Sequence, residues 1–396
     1  MIQQKRLESL IYDDLNGLVS ASYAEDQAID YKEELPDLDG KKPDDARKKL
    51  LADVAAFANA GGGDILFGVE EGRTDGKPNG IPVSLPGIDN PTADALHRRW
   101  VGIIESGLDP KMAPKVRVRA IPIPNSTRAV VILRIPRSYA APHMVKDTGR
   151  FVVRHGPENR PLDTAEIRSA FALSESWADH VKRFRDERVA RITGQDTPMK
   201  LRDAARLVIH VVPLVTARRG FALDLQAVKA RGPQPVYWDR TYAPTFNVDG
   251  LLIVGDEHDG QSHTYTQFFR DGAVEVVLTT IADKQYVYPT RIEPHVIKTA
   301  SLYLPLLVAA GAEYPIAMTV TLLGMKGLMF RPDQWGEGPK VPLPRDEVFL
   351  PDAVVEGADA DLPAGLRAMF DAMWQCLGHE RSQNYDPSGV WKGKVT

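Results

Sequence analysis

Several features that would place a function quickly are missing from this sequence. It holds one cysteine, Cys376, in 396 residues. A lone thiol cannot pair within its own chain, so the fold is not disulfide-held and a reducing cytoplasm is the expected setting. No apolar run reaches the ~18–20 residues of a membrane span. The opening MIQQKRLESLIYDDL is amphipathic and carries acids, unlike a signal peptide. Neither G-x-x-x-x-G-K-[ST] nor G-x-G-x-x-G occurs, and the near miss GRTDGK has the wrong spacing, so a phosphate-loop ATPase is not expected. No G-x-S-x-G elbow is present and no Cys–His pairing suggests itself, which argues against a hydrolase with a protein nucleophile. Internal repeats and low-complexity tracts are also absent.

What is there is a charge asymmetry. The net charge of -4 is no sign of a general polyanion binder. Residues 25–75, however, hold 14 acids and 7 bases, net -7, whereas residues 111–168 hold 12 bases and 4 acids, net +8. Two readings fit. The segments are a cation-binding pocket beside a phosphate-holding surface, or both are solvated faces.

The coarse pattern is α/β (α+β). Helical spacing runs over residues 3–19, through Leu7, Leu10, Ile11, Leu15 and Leu18. A short strand is expected over Ala28–Glu34, then a polar loop. Asp44 or Asp45 is expected to cap a helix with the apolar stripe Leu50, Leu51, Val54, Ala55, Phe57 and Ala58. Asn59–Gly63 stops it, with Asn59 read as the helix-end residue. DILFGVE, apolar on both faces, reads as a buried strand. A second helix covers 91–108, and VRVRAIPIP and RAVVILRIP form a hairpin about Asn125–Ser126. A strand over 149–154 leads through HGPENRPLD to a helix capped near Asp163 or Thr164. The domain division expected is an N-terminal helix at 1–20, a domain of small mixed sheets with flanking helices at 21–176, a charged connecting helix and linker at 177–200, and a second α+β domain at 201–396. In the second domain, 331–360 reads as a long loop and the last helix covers 362–378.

The chemistry sits near the front. In a strand, residues i and i+2 share a face, so Asp30 and Lys32 point together and Tyr31 points away. Glu25 arrives just before, and Glu70 closes DILFGVE. If those strands are neighbours, Glu25, Asp30 and Glu70 converge. Three carboxylates are the oxygen set that Mg²⁺ or Mn²⁺ prefers. Such an ion activates water and steadies charge on a phosphate, with Lys32 beside the phosphoryl oxygens. The plain alternative is solvated acids at strand ends. Arg117, Arg119, Arg134, Arg137, Lys146, Arg150, Arg154 and Arg160 supply a phosphate-contacting surface, among which Tyr139 and His143 would stack on unpaired bases. The alternative is that several of these arginines pair with the acidic segment inside the domain.

Glu25, Asp30-Tyr31-Lys32, then DVAAFANAGGG (53–63) and ILFGVE (65–70) resemble the Schlafen-type AlbA-like domain. That family shows an E-x4-E-F-K element, a helix ending in A-F-A-N-x-x-G-G, and a strand reading L-x-G-V-D or V-E. Arg154-His155-Gly156 and Asn159-Arg160-Pro161-Leu162 look like its late strand and turn, and the resemblance covers roughly 20–175. It implies small mixed sheets flanked by helices, usually dimerised or duplicated. In members that cut RNA it implies a three-carboxylate metal centre, here Glu25, Asp30 and Glu70, with Lys32 matching the lysine of the E-F-K element. Asp30 stands where the family usually has Glu, and Glu70 where it often has Asp. The resulting expectation is a metal-dependent endonuclease of structured RNA such as tRNA, with antiviral defence as the implied role, RNA ahead of DNA, a homodimer and no membrane. The rival is a nucleic-acid-binding or regulatory protein without catalysis.

Three other features carry bland readings. GDEHDGQSH, with His258 and His263, reads as a polar turn rather than a zinc site. His210 in LVIHVV reads as a core histidine with a partner. Cys376 near Trp374 reads as packing.

Overall fold

The computed structural model describes residues 2, 5, 7–112, 116–138, 140–217, 220–237, 243–283, 285–332, 342–376 and 378–393, with backbone alone at 173–176 and 256–258. It is a mixed α+β structure whose contacts divide it into two units. The first is 1–175 with 356–359; the second is 176–355 with 360–396.

The first unit is built on a five-stranded sheet. β1 (Ile29–Lys32) runs parallel to β2 (Gly62–Phe67). After β2 comes a separate two-stranded ribbon, β3 (Glu70–Thr74) with β4 (Lys77–Ser84). β5 (Ile88–Asp89) returns to the sheet edge. A small sheet has the order β11-β10-β9-β6, from β6 (Leu108–Asp109), β9 (Met144–Val145), β10 (Arg150–His155) and β11 (Glu158–Pro161). The hairpin β7 (Arg117–Pro122) and β8 (Arg128–Pro136) completes the main sheet. Its turn carries Asn125 at φ 58°, a conformation asparagine tolerates better than most residues.

Among the described residues three α-helices lie wholly within this unit: α1 (Tyr12–Ser20), α2 (Pro43–Asn59) and α3 (Ala93–Gly107). A 3₁₀ turn, Leu7–Ser9, precedes α1. The N-terminal periodicity therefore splits into two pieces. Leu7, Leu10, Leu15 and Leu18 bury against Ile29, Tyr31, Leu66 and Ile132 on one face of the sheet. α2 and α3 cover the other face, with Val54, Phe57, Trp100 and Ile104 against Ile65, Phe67 and Leu133. Alternation along the strands divides the two sets: Ile29 and Tyr31 go one way, Asp30 and Lys32 the other.

α2 also packs on β10, so its last turns are buried on more than one side, and Ala55, Ala56, Phe57 and Ala58 are all fully buried. Small side chains permit that double contact. Neither Asp44 nor Asp45 caps this helix; Lys42 holds the N-cap without a side-chain bond and Pro43 opens the first turn. Asn59 is not a helix-end device either. Its Nδ2 donates to the carbonyls of His143 (2.9 Å) and Val152 (2.8 Å), and its Oδ1 accepts from the His143 N–H (2.6 Å). It ties α2 to the small sheet. Gly63 must be glycine because a Cβ there would lie 2.5 Å from Phe57 and 2.6 Å from the Ala28 carbonyl.

α4 (Thr164–Thr193) is one helix of 30 residues where two shorter ones were expected. Asp163 and Glu166 make a reciprocal cap: the Glu166 N–H donates to Asp163 (2.8 Å) and the Asp163 N–H to Glu166 (3.0 Å). Without a breaker near Trp177, nothing stops the helix.

The second unit is an eight-stranded sheet of order β13-β14-β15-β16-β12-β18-β20, with β21 also on β18. The strands are β12 (Arg206–Pro213), β13 (Thr245–Phe246), β14 (Gly250–His258), β15 (Gln261–Phe269), β16 (Val274–Leu278), β18 (Ile316–Leu323), β20 (Val348–Phe349) and β21 (Ala353–Val355). A minor pair is β17 (Tyr286–Val287) with β19 (Met329–Phe330). α5 (Leu225–Ala230), α6 (Pro289–Ala309) and α7 (Leu362–Gln375) supply the main core over one face. The residues expected as a polar turn at 255–263 are instead the ends of β14 and β15, which meet at Asp259–Gly260; the His258 side chain lies outside the described set. Of the loop expected at 331–360, residues 333–341 lie outside the description, and β20 and β21 occupy part of the rest.

On the other face, Glu275 organises a buried network. It accepts from Arg188 Nε (2.9 Å) and Nη2 (2.8 Å), Tyr265 OH (2.7 Å) and His210 Nε2 (3.1 Å). His210 is thus a core histidine with a partner. Burial alone would raise the Glu275 carboxyl, but the Arg188 and His210 hydrogen bonds outweigh it and hold the group down at about 2. Cys376, expected in packing, is exposed instead.

Candidate functional site

Local physics gathers six side chains at the end of β1. Asp30 is 2% exposed and on the α2 side of the sheet, with Lys32 paired to it. Arg154, from β10, meets Asp30 Oδ1 at 3.0 Å, donates to the carbonyls of Asp26 and Ile29 (both 3.2 Å), and stacks over Phe57 at 4.9 Å. Asp53 reaches the same corner from α2 and accepts from Asn159 Nδ2 at 2.6 Å. Glu25 accepts from the Tyr31 N–H at 2.7 Å, and its own N–H donates to the Gly80 carbonyl at 2.7 Å. Glu71 accepts from the Gly80 N–H at 3.0 Å, so the ribbon β3–β4 brings a fourth carboxylate beside Glu25.

Four carboxyls therefore share two cations, and the imbalance shows in their proton affinities. Burial first, then the carboxylates of Asp30 and Glu71, push Glu25 up to about 7 against the pull of the Tyr31 N–H and Lys32. Burial lifts Asp53 to about 6, with Lys32 opposing and Asp30 adding. Burial alone would lower the Lys32 ammonium; Asp30, Asp53 and Glu25 outweigh it, and the group stays firmly protonated. Carboxyls poised near neutral pH beside a fixed cation are suited to proton transfer.

Glu70 is not part of this corner. Gly68, at φ +87°, swings the chain out of β2, and a Cβ there would lie 2.6 Å from Gly87 Cα. Glu70 then starts the ribbon, exposed, and accepts from Ser84 Oγ at 2.6 Å. Neighbouring residues of a strand face opposite ways, so Glu71 takes the inward side. Sequence reasoning missed Glu71, Asp53 and Asn159. The doublet Glu70–Glu71 was the available signal, and it needed the ribbon to be read.

The Glu25–Asp30–Glu70 set expected to hold Mg²⁺ or Mn²⁺ does not fit such an ion as arranged. Among the described residues no three Asp, Glu, His or Cys side chains stand together as ligands. Asp30, common to any such set, gives one oxygen to Arg154 and the other to Lys32.

The expected basic surface is also corrected, because most of its arginines serve the fold. Arg134 is 6% exposed, bidentate to Asp64 (2.7 and 2.8 Å) and 3.0 Å from Asp359. Arg117 pairs with Asp359, and Arg119 donates to the Leu7 carbonyl. Arg154 is internal, as above, and Arg160 is bidentate to Glu166 (2.8 and 2.5 Å). Arg137 is half-buried and engaged. Lys146 and Arg150 are exposed, Lys146 with a bond to the Ser106 carbonyl at 3.0 Å. His143 is buried, its Nδ1 2.7 Å from the Pro110 carbonyl, and cannot stack on a base; Tyr139 lies outside the described residues.

The fold and corner define a class: an α+β domain with a helix between two small sheets and an acidic cluster at a strand end. Residues 25–163 match the family model described as Schlafen, AlbA_2, and this segment is a domain of that family. Among solved structures the chain is similar to the DIP2311 protein from Corynebacterium diphtheriae, at 21% identity over 40% of this chain and 31% of that one, TM-score 0.27. It is also similar to the N-terminal domain of a RecG-related protein from Nitrosomonas europaea, at 20% identity over 39% of this chain and 93% of that one, TM-score 0.28. This chain thus spans about a third of the length of the first of these. No curated protein matches the sequence. Among the described residues no helix is long and apolar enough to cross a membrane.

Proposed function

We propose that the first unit acts on nucleic acid and that its chemistry is phosphodiester cleavage at the Glu25 corner, with structured RNA as the substrate. The observation that carries this reading is Glu25 itself. It is a half-buried carboxyl beside Asp30 and Glu71, held at about 7, with the Lys32 ammonium in the same cluster. Such a carboxyl accepts a proton from an attacking hydroxyl or water at neutral pH and returns it to a leaving oxygen. Lys32 offers its positive charge to the phosphoryl oxygens. Lys146 and Arg150 supply exposed contacts to the backbone of the substrate. A homodimer belongs to the same reading.

A second reading, binding without cleavage, is favoured by one observation: Asp30 is already neutralised by Lys32 and Arg154. The test is incubation of the full chain with total RNA, tRNA or single-stranded DNA, in Mg²⁺, Mn²⁺ or EDTA, with fragment ends mapped. Cleavage lost in Glu25→Gln and Lys32→Met, with RNA retained on a gel, supports the first reading. Retention of RNA without fragments under every condition supports the second. Neither retention nor fragments would refute both.

A further inference from the structure

We propose that the second unit binds a phosphate ester of mononucleotide size in the cavity at the start of α6. The cavity has a volume of about 840 Å³, within the ~300–1,000 Å³ common for small-molecule sites. Its chemistry comes from Tyr237, Thr280, Arg291, His295, Asn384 and Lys392, and among the described residues no Asp or Glu lines it.

Two buried polar atoms point to a missing partner. His295 is 8% exposed, and its Nδ1 meets no hydrogen-bonding group; the same holds for the buried Oγ1 of Thr280. Buried polar atoms ordinarily have a partner, and the residues that carry these two line the same cavity. Burial, with Lys298 and Arg291 nearby, lowers the imidazole to about 4. It is therefore neutral at physiological pH and offers one donor and one acceptor. The ring stands edge-on to Tyr237 at 6.1 Å, which leaves a flat, partly apolar wall.

The charge on the lining is positive. The Arg291 guanidinium stacks on Tyr288 at 4.4 Å, which orients its donors. Lys392 is 3.3 Å from Asp386, an acid outside the lining, and Asp283 is occupied by the Tyr288 hydroxyl. α6 is 21 residues long and Tyr288 gives its N-cap no side-chain bond, so the positive end of the helix faces this region uncapped. The wall is also rigidly held. Glu293, fully buried, accepts from Trp374 (2.6 Å), Ser382 (2.7 Å), Asn384 (2.8 Å) and Trp391 (2.8 Å), and Asn384 in turn accepts from the Lys392 N–H (2.7 Å). Cations, hydroxyls, a neutral imidazole and a ring edge suit a phosphate joined to a flat heterocycle.

Calorimetry on the full chain tests this with AMP, adenosine and inorganic phosphate. AMP should bind, phosphate should compete with it, and adenosine should bind at least about tenfold more weakly, because it lacks the charged group. Arg291→Ala and Lys392→Ala, both at exposed positions, should each weaken AMP about tenfold. Thr280→Val should weaken it without moving the melting temperature of the free protein. Glu25→Gln should leave AMP binding unchanged, which separates this site from the corner in the first unit. The proposal is overturned by the absence of AMP binding at millimolar concentration. Adenosine binding as tightly as AMP, or AMP affinity unaltered in the Arg291→Ala/Lys392→Ala double variant, would overturn it equally.

Discussion

Replacing Glu25 by glutamine should make the first unit more stable at alkaline pH and leave it nearly unchanged at acid pH. The native carboxyl is displaced from an ordinary value of 4.5 to about 7, chiefly by burial and by Asp30. At ~1.36 kcal/mol per pKa unit this corresponds to roughly 3 kcal/mol at full weight. Glu25 is only half-buried, so solvent screening reduces the effect to about 1–2 kcal/mol. Because the folded value lies above the unfolded one, the contribution is present in full below pH 4.5. It is lost as pH rises through 7. Glutamine is isosteric and keeps an oxygen for the Tyr31 N–H, but it has no proton to lose. Urea denaturation at pH 5 and pH 8.5, read by hydrogen exchange on peptides from residues 1–175, assigns the transition to this unit. The wild type should lose about 1–2 kcal/mol relative to the variant between the two pH values. An equal stability difference at both would show that Glu25 is not held protonated, and the carrier of the cleavage proposal would fall with it.

Three further outcomes follow from the buried pairs. Arg134→Met strands Asp64, which is fully buried, and should cost about 3–5 kcal/mol in the first unit, read as a lower urea midpoint at unchanged slope. Asn59→Ala removes three hydrogen bonds between α2 and the small sheet; a loss of about 1–3 kcal/mol and faster exchange at the His143 amide are expected. In the second unit, Glu275 is held at about 2, so its stabilisation is present above pH 4.5 and lost as pH falls through 2. Glu275→Gln should therefore remove much of the acid sensitivity of that unit between pH 4.5 and 2, as followed by near-ultraviolet circular dichroism.

How far the site could be read from sequence depends on the range of the interaction. The shared face of Asp30 and Lys32 follows from a two-residue period, and the pair forms because Tyr31 buries on the opposite side. The helix and strand around ANAGGGDILF were legible because their apolar patterns are long and their glycines make close backbone contacts. Glu70 was misplaced by a local event with no periodic signature: a single residue, Gly68, leaves the β region and restarts the alternation one position out of step. The basic residues failed for a different reason. Arg134 finds Asp64, 70 positions away, and Arg154 finds Asp30 across two sheets, so the partner is fixed by topology and not by spacing.

These pairings also give physical content to the charge asymmetry of the chain. The acidic stretch 25–75 and the basic stretch 111–168 meet inside one unit through two buried pairs, Asp30 with Arg154 and Asp64 with Arg134. At the Glu25 corner the charges do not balance. Glu25, Asp53 and Glu71 outnumber the cations that β1 and β10 deliver, and two of those acids respond by holding protons near neutral pH. That excess, at the mouth of the ribbon β3–β4, sets the corner apart from the paired charges around it and is why the proposed chemistry is placed there.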